Sequence, residues 1–142
     1  MSPHDIAARA AAAMWAEDGA SQALGMHLAD VGPGTATMTM KVRADMLNGH
    51  GTCHGGFMFT LADSTFAFAC NSYNKKTVAQ HCSITYHAPA FEGDLLTANG
   101  SEVSRAGRSG LYDIAVTNQD GALIASFRGH SRTIAGTHFD EA

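Results

Sequence analysis

The residues with the clearest chemical potential lie in one stretch, from Met46 to Asn74. A loop rich in glycine and histidine opens it, and a long apolar segment follows. Histidine aside, the only charged residue between Asp45 and Lys75 is Asp63. A carboxylate on an apolar segment needs a partner or a chemical role. We interpret Asp63 as a candidate general base or nucleophile that acts on an acyl carbon. The alternative is a buried carboxylate tied to a backbone amide or a lysine.

The second candidate is the predicted helix start at His54, Gly55 and Gly56. The first N–H groups of a helix have no intrahelical partner and lie at the positive end of its dipole. Glycine lets a carbonyl oxygen approach Gly55 closely, which predicts an oxyanion site. The alternative is that the two glycines only relieve crowding. Asn48 is a third candidate, since its amide could orient a carbonyl or a water, although a loop asparagine is more often a turn residue.

The spacing of two candidates predicts an oligomer. Gly55 and Asp63 are eight residues apart, which is roughly 12 Å along a helix axis. They cannot both contact one carbonyl carbon. If both are catalytic, Gly55 of one subunit meets Asp63 of another, and a homodimer is the catalytic unit.

Other chemistries fit the sequence less well. His50, Cys53 and His54, with His81 and Cys82 far along the chain, match no standard zinc spacing, so no metal site is predicted. Cys53 beside His54 is a poor nucleophile pair, because adjacent side chains usually point apart. The chain also lacks a Gly-x-Ser-x-Gly elbow, a P-loop and a dinucleotide fingerprint.

Composition sets the broad class. The 142 residues predict one domain, 1–142, that is 45% hydrophobic and only 15% charged, against about 25% charged in typical soluble domains. Such a low charge favours an oligomer with subunit contacts. A net charge of −4 argues against nucleic-acid binding, and three cysteines without a CxxC pair favour a reducing cytoplasm. No signal peptide or membrane-spanning run is expected at the N-terminus.

Periodicity predicts the elements that position these residues. Alternation places Ala36, Met38, Met40 and Val42 on one face of their strand and Tyr112, Ile114 and Val116 on one face of theirs, and it predicts that Leu123, Ala125 and Phe127 point inward. An alanine-rich helix starts the chain, with Ser2 as its cap and Ala8, Ala12, Met14 and Trp15 as its docking face; Ser21 is expected to cap a short second turn. The predicted helices are 3–16, 22–24 (the helical segment is about 3–24) and 57–72, and the predicted strands are 26–31, 35–43, 78–87, 95–104, 111–117 and 122–134. A flexible tail is expected from about residue 136. The order favours an α+β hotdog fold, an antiparallel β-sheet wrapped around one long central α-helix.

The central stretch resembles the hotdog-fold acyl-CoA thioesterases of the PaaI type. The similarity is carried by Leu47-Asn48-Gly49-His50, Cys53-His54-Gly55-Gly56 and Leu61-Ala62-Asp63, and it continues through Phe66–Ser72, Tyr112-Asp113-Ile114 and Phe127-Arg128-Gly129. It covers nearly the whole chain. One departure is Ala79, which stands where a related branch has a water-positioning serine.

The resemblance implies roles for the candidates. Asp63 matches the acidic catalytic residue, Gly55 the glycine whose N–H polarises the thioester carbonyl, and Asn48 an asparagine at that end of the site. His54 would shape the loop and Ser64 would support Asp63. Candidates for binding substrate or coenzyme A, whose phosphates need cations, are Arg105, Gly107, Arg108, Ser109, Arg128, Arg132 and Tyr86.

The implied activity is hydrolysis of phenylacetyl-type CoA thioesters, with hydroxyphenylacetyl groups favoured, in aromatic catabolism. The enzyme would be a cytoplasmic homotetramer built from two dimers and would need no cofactor beyond the coenzyme A of its substrate. Two alternatives stay open: a non-catalytic acyl-CoA binding module, and a hotdog hydratase or dehydratase, which lacks support because no His/Glu pair accompanies Asp63.

Overall fold

The apolar stretch forms one central helix. In the computed structural model, which describes residues 1–142, helix α3 runs over Gly55–Cys70. The helix begins two residues before the predicted start because the His54 side chain caps it. Its ring Nδ1 accepts a hydrogen bond of 2.9 Å from the backbone N–H of Gly56. The cap places Gly55 as the first residue of the helix.

The other elements precede and follow α3. Two helices, four turns and one turn long, come first, and six strands make the sheet. Their bounds are α1 Pro3–Glu17, α2 Gly19–Ala23, β1 His27–Gly32, β2 Thr35–Lys41, a 3-10 turn Ala44–Met46, β3 Thr77–Tyr86, β4 Leu95–Ala106, β5 Ser109–Thr117 and β6 Leu123–Thr133. None of the helices is long and apolar enough to cross a bilayer.

The strands form one antiparallel sheet in the order β1-β2-β4-β5-β6-β3. Its concave face packs on α3, which contacts all six strands. The predicted alternation of β2 is confirmed, since Ala36, Met38, Met40 and Val42 are all buried. The sheet wraps one helix, so the α+β hotdog fold is confirmed.

The N-terminal segment differs from its prediction in two details. Helix α1 buries Ala7, Ala10 and Ala11 and leaves Ala8 and Ala12 exposed. An alanine-rich helix offers no amphipathic contrast, so the sequence could not indicate its inner face. The short helix α2 is capped by Asp18, and not by Ser21 as predicted: the Asp18 carboxylate accepts a hydrogen bond from the Ser21 N–H.

The chain after residue 136 contains no helix or strand. Its backbone is held by the buried Asn74, whose side-chain oxygen accepts hydrogen bonds from the N–H groups of His138 and Phe139. The Asn74 amide donates to the Phe139 carbonyl at 3.0 Å. These contacts fasten residues 138–139 beside the C-terminal end of α3.

Candidate active site

Asp63 lies midway along α3 and is half-buried. Its carboxylate forms no hydrogen bond and no ion pair within the chain, so neither partner that would explain it structurally, a backbone amide or a lysine, is present. Burial raises the pKa of this carboxyl above its ordinary value. A half-buried carboxylate with a raised pKa and no partner has the properties of a general base.

The thiols of Cys70 and Cys82 lie close enough to Asp63 for its charge to raise their pKa values. Burial raises the pKa of Cys82, and the Asp63 charge adds to this effect. Burial is also the main reason that the pKa of Cys70 is raised to about 12. The two thiols are therefore protonated at neutral pH and leave Asp63 as the basic group on this side of the helix.

Gly55 presents an unused donor at the start of α3. No acceptor in the chain binds its backbone N–H. Its carbonyl oxygen accepts a hydrogen bond of 2.7 Å from the Tyr86 hydroxyl. A Cβ atom at position 55 would lie 2.9 Å from the Tyr86 ring, so a larger residue there would force the tyrosine or the start of the helix to shift. The free N–H at a helix N-terminus is nevertheless the donor that an oxyanion site needs.

At Gly56, a residue without a side chain serves a different purpose. A Cβ atom at Gly56 would lie 3.0 Å from Nδ1 of His54, the atom that accepts the Gly56 N–H. The small residue therefore lets the histidine cap the helix. Of the two glycine amides, the one of Gly56 is occupied by the cap and the one of Gly55 is free for a ligand.

Asn48 organises the loop with one half of its amide. Its Oδ1 accepts hydrogen bonds from the backbone N–H groups of His50 and Thr52, at 2.9 and 3.2 Å. This is the turn role that the sequence left open as an alternative. The side-chain NH2 has no partner in the chain and keeps two donors for a ligand.

An open groove of about 480 Å³ adjoins Gly55. It is lined by Thr52, Cys53, Gly55, Met58, Tyr86, His87, Ala88 and Pro89. Asp63 is not part of this lining, because eight residues of continuous helix separate it from Gly55, or roughly 12 Å. Within one subunit, the free N–H of Gly55 and the unpaired carboxylate of Asp63 are thus too far apart to contact one carbonyl carbon.

The groove contains no activated cysteine. Burial raises the pKa of Cys53 to about 11, and the charge of Asp94 adds to the shift. Its thiol points to the His54 carbonyl. Such a thiol is not a nucleophile at neutral pH. No group of three His, Cys, Asp or Glu side chains lies close enough to bind a metal ion.

The structure adds a partner for Ser64 that the sequence analysis had considered only as a helix cap. Ser64, next to Asp63, is 2.8 Å from the hydroxyl of Ser21 in α2. Ser21 is 1% exposed and donates its hydroxyl hydrogen to the Asp18 carboxylate at 2.7 Å. The two serines are 43 residues apart, so no local pattern could have indicated the pair.

Most of the predicted coenzyme A ligands gather at the opposite end of α3 from Gly55. Arg105, Gly107, Arg108 and Ser109 form the β4–β5 hairpin, and Arg132 of β6 pairs with Ser109. Arg108 and Arg132 are exposed and bind no carboxylate, whereas Arg105 stacks on the ring of Tyr73, 3.5 Å from its centroid.

Arg128 lies apart from this group. The register of β5 and β6 places it opposite Asp113. The two side chains form a bidentate ion pair on the sheet, with distances of 2.7 and 2.8 Å. The pair occupies Nε and Nη2 of the guanidinium and offsets its charge.

The fold agrees with the comparisons to known proteins. Residues 50–125 match the Thioesterase superfamily, and the chain belongs to this family. It is a hotdog thioester hydrolase of the PaaI type.

Comparisons with individual relatives and solved structures also indicate this family. The chain is 45% identical to the acyl-coenzyme A thioesterase PaaI of Escherichia coli over 130 residues. This match covers 92% of this chain and 93% of the E. coli protein. The solved structure of the E. coli PaaI protein, from the phenylacetic acid degradation operon, matches with a TM-score of 0.94 and 43% identity over 96% of this chain and 99% of the other. The structure of smu.793 from Streptococcus mutans, bound to acetyl CoA, matches with a TM-score of 0.76 and 26% identity. The match covers 79% of this chain and 90% of the S. mutans chain.

Proposed function

We propose that the protein hydrolyses phenylacetyl-type CoA thioesters, including ring-hydroxylated ones, to the free acid and coenzyme A in aromatic catabolism. The observation that carries the proposal is the combination of a partnerless carboxylate, Asp63, with a free helix-terminal N–H, Gly55. The E. coli relative that is named an acyl-coenzyme A thioesterase and the acetyl CoA in the S. mutans structure support the class of substrate.

The chemistry requires few groups. The Gly55 N–H would bind the thioester oxygen and stabilise its charge as the tetrahedral intermediate forms. As a general base, Asp63 would accept a proton from water while the water oxygen bonds to the acyl carbon. The C–S bond then breaks, the electron pair leaves on sulfur, and the Asp63 proton can neutralise the thiolate. As a nucleophile, Asp63 would instead form an anhydride that water cleaves.

The proposed site contains two subunits. One helix cannot bring its own Gly55 and Asp63 to the same carbon, since it separates them by roughly 12 Å. The edge strand β3 offers a surface for a second copy: it is ten residues long and pairs only with β6. Val78 and Tyr86 on this strand are each 46% exposed. An unpaired edge of this length is normally covered. We therefore include a homodimer in the proposal, with the homotetramer as its assembly.

A cluster of cations would bind the phosphates of coenzyme A. Five of the nine lysines and arginines lie at the C-terminal end of α3 or on the adjoining sheet end: Lys75, Lys76, Arg105, Arg108 and Arg132. We refer to them as the basic cluster. Asp63 is seven residues before the end of α3, or roughly 10 Å along the axis, so a substrate anchored there would extend toward the carboxylate. The proposed cluster omits Arg128, which is bound by Asp113.

A substrate panel on the purified protein tests the proposal. Free thiol release is measured with phenylacetyl-, hydroxyphenylacetyl-, benzoyl- and short aliphatic CoA, together with the mass in solution. The expected result is the highest kcat/KM on the phenylacetyl types. Turnover only of aliphatic CoA would refute the acyl assignment. Binding without turnover of any thioester would favour the acyl-CoA binding module, and hydration of an enoyl-CoA would favour the hydratase.

A further inference from the structure

Asn74, in the turn between α3 and β3, directs its whole side chain to the C-terminal segment. It is fully buried and has a left-handed backbone with φ of +60°, which non-glycine residues rarely adopt. Its side-chain oxygen accepts the N–H groups of His138 and Phe139, at 2.9 and 3.2 Å. Its amide donates to the Phe139 carbonyl and to the Glu141 carboxylate, at 3.0 and 2.9 Å. The buried amide is therefore satisfied only while the C-terminal segment stays in place.

Side chains of this segment fasten it on both sides. The His138 Nε2 atom lies 2.7 Å from Oδ1 of the buried Asn71. That oxygen also accepts the N–H of Thr77, and an amide oxygen cannot donate, so Nε2 carries the hydrogen. On the other side, the guanidinium of Arg9 in α1 lies over the Phe139 ring, 4.4 Å from its centroid. We refer to residues 136–141 as the C-terminal strap, because they connect α1 to the turn after α3.

The C-terminal strap also contacts Lys76, a member of the basic cluster. The Lys76 backbone N–H donates to the Gly136 carbonyl at 3.0 Å. Gly136 has a φ of +111°, and a Cβ atom there would lie 3.2 Å from Cδ of Lys76. Glycine therefore lets the strap lie directly against the lysine side chain.

Lys76 shares an open groove of about 550 Å³ with two carboxylates at the end of α1, Glu17 and Asp18. Thr137 and His138 of the strap line the same groove. Lys76 forms an ion pair with neither carboxylate. Asp18 is engaged in capping α2, whereas Glu17 has no partner. Opposite charges attract, so a Lys76 side chain that moved freely would be drawn to Glu17.

We propose that the C-terminal strap positions Lys76 for the phosphates of coenzyme A by keeping its ammonium group from pairing with Glu17. The inference rests on the proposed function, which includes Lys76 in the basic cluster. Asn74 and Gly136 are positioning residues, since both act through Lys76 and not on the substrate. Displacement of the strap frees the Lys76 side chain, Glu17 neutralises its charge, and the phosphates lose one cation.

Asn74→Gly tests the proposal in the full-length chain. Glycine adopts the left-handed backbone without strain, so the substitution removes only the hydrogen bonds to the strap. The KM for phenylacetyl-CoA should rise about three- to fivefold with kcat changed less than about twofold. The KM for the N-acetylcysteamine thioester, which has no phosphate, should not change. Faster hydrogen exchange at the amides of His138 and Phe139 should report release of the strap directly.

Asn118→Gly is the matched control. The Asn118 side-chain oxygen also accepts two backbone N–H groups, those of Asp120 and Ala122. It lies in the turn between β5 and β6, at the other end of β5 from the basic cluster, so both KM values should stay at the wild-type level.

A second substitution should reverse the effect. In Asn74→Gly/Glu17→Gln, the released Lys76 has no carboxylate partner at position 17, and the KM for phenylacetyl-CoA should return to within about twofold of wild type. Glu17→Gln alone should leave that KM unchanged, because Lys76 and Glu17 do not pair in the intact protein. A purely structural role of the strap would not be relieved by the loss of one carboxylate.

Four results would overturn the proposal: unchanged exchange of the strap in Asn74→Gly, an unchanged KM for phenylacetyl-CoA, an equal rise for both thioesters, or no reversal by Glu17→Gln. If Asn74→Gly does not fold, Gly136→Ala replaces it, because the new Cβ displaces the Lys76 side chain. Gly121→Ala, with φ of +78° and nothing within 4 Å of the Cβ position, then controls for backbone strain. Failure of the proposed function is seen separately, as a wild-type protein that hydrolyses no acyl-CoA; the Kd of free coenzyme A, measured by titration calorimetry, gives the same comparison without turnover.

Discussion

Gly55 and Asp63 lie on one uninterrupted helix, eight residues apart, and each has an unused group: the N–H of one and the carboxylate of the other. Neither can reach the other's ligand, because roughly 12 Å of helix separates them. In the proposed dimer, the two groups form one site because a second subunit supplies the missing half. The expected behaviour of subunit mixtures follows directly.

Two inactive variants should restore each other's activity. When Gly55→Ala and Asp63→Asn subunits are co-expressed at equal amounts, each mixed dimer has one site with both substitutions and one intact site. Random mixing then gives about one quarter of the wild-type kcat per site. The measurement is thioester hydrolysis by mixtures purified through a tag that both subunits carry, so that all dimers are retained. If each subunit holds a complete site, no activity returns on mixing.

Gly55→Ala should itself abolish most turnover. The new Cβ would meet the Tyr86 ring at 2.9 Å, displacing the N–H that would stabilise the oxyanion, and kcat is expected to fall roughly 100-fold. Gly49→Ala is the matched control, because a Cβ there meets nothing within 4 Å. Equal activity of the two variants would show that the added methyl group does not displace the Gly55 peptide and would contradict this prediction.

Asp63 should control the acid side of the pH profile. Burial raises the pKa of its carboxyl, so kcat/KM should fall with decreasing pH at a pKa above that of a free aspartate, about 3.9. Profiles between pH 4 and 8 measure this. An acid limb at the ordinary carboxyl pKa would contradict it.

The raised pKa of Asp63 also affects the pH dependence of stability. Its effect is opposite to that of an ion-paired aspartate, whose pKa is lowered on folding. The native state holds the Asp63 proton more tightly than the unfolded chain, so the free energy of unfolding decreases as pH rises from the ordinary pKa to the raised one. Asp63→Asn should therefore be more stable at pH 7, by on the order of 1 kcal/mol, while losing about 100-fold or more in kcat. Thermal unfolding at matched protein concentration tests this, and a less stable variant would show that the carboxylate is structurally required.

The basic cluster should affect KM more than kcat. Arg108→Ala and Arg132→Ala each remove an exposed cation without a carboxylate partner. The KM for an acyl-CoA should rise about three- to tenfold, and hydrolysis of the matching N-acetylcysteamine thioester, which lacks the nucleotide, should be unchanged. Lys41→Ala, at the end of β2, is the control for the loss of one charge. An equal rise in KM for both thioesters would exclude phosphate binding by these arginines.

Local patterns predicted the parts of this fold in which one face is apolar. Alternation in β2 and in β5 indicated the buried residues correctly, including Tyr112, Ile114 and Val116. In β6 it failed at Leu123, which is 44% exposed, because Ile124 and Ala125 are both buried there. The inner face of α1 was out of reach for the reason already given: alanine on every side leaves no contrast.

Contacts between distant residues explain the rest of the site. The Tyr86–Gly55 contact spans 31 residues and the Ser21–Ser64 contact spans 43, so neither leaves a local signal. The Asp113–Arg128 pair could not be found by counting outward from the turn at Asn118–Gly121 either, because the register of the β5–β6 hairpin shifts between Val116 and Thr117.

The hydroxyl of Tyr86 joins the last residue of the exposed edge strand β3 to the first residue of the central helix. A displacement of that edge is transmitted through the tyrosine to the peptide of Gly55. In the proposed dimer, this contact would couple subunit assembly to carbonyl activation, and dissociation would disturb the geometry of the Gly55 N–H as well as remove the partner's carboxylate. Specific activity would consequently depend on enzyme concentration in dilute solution.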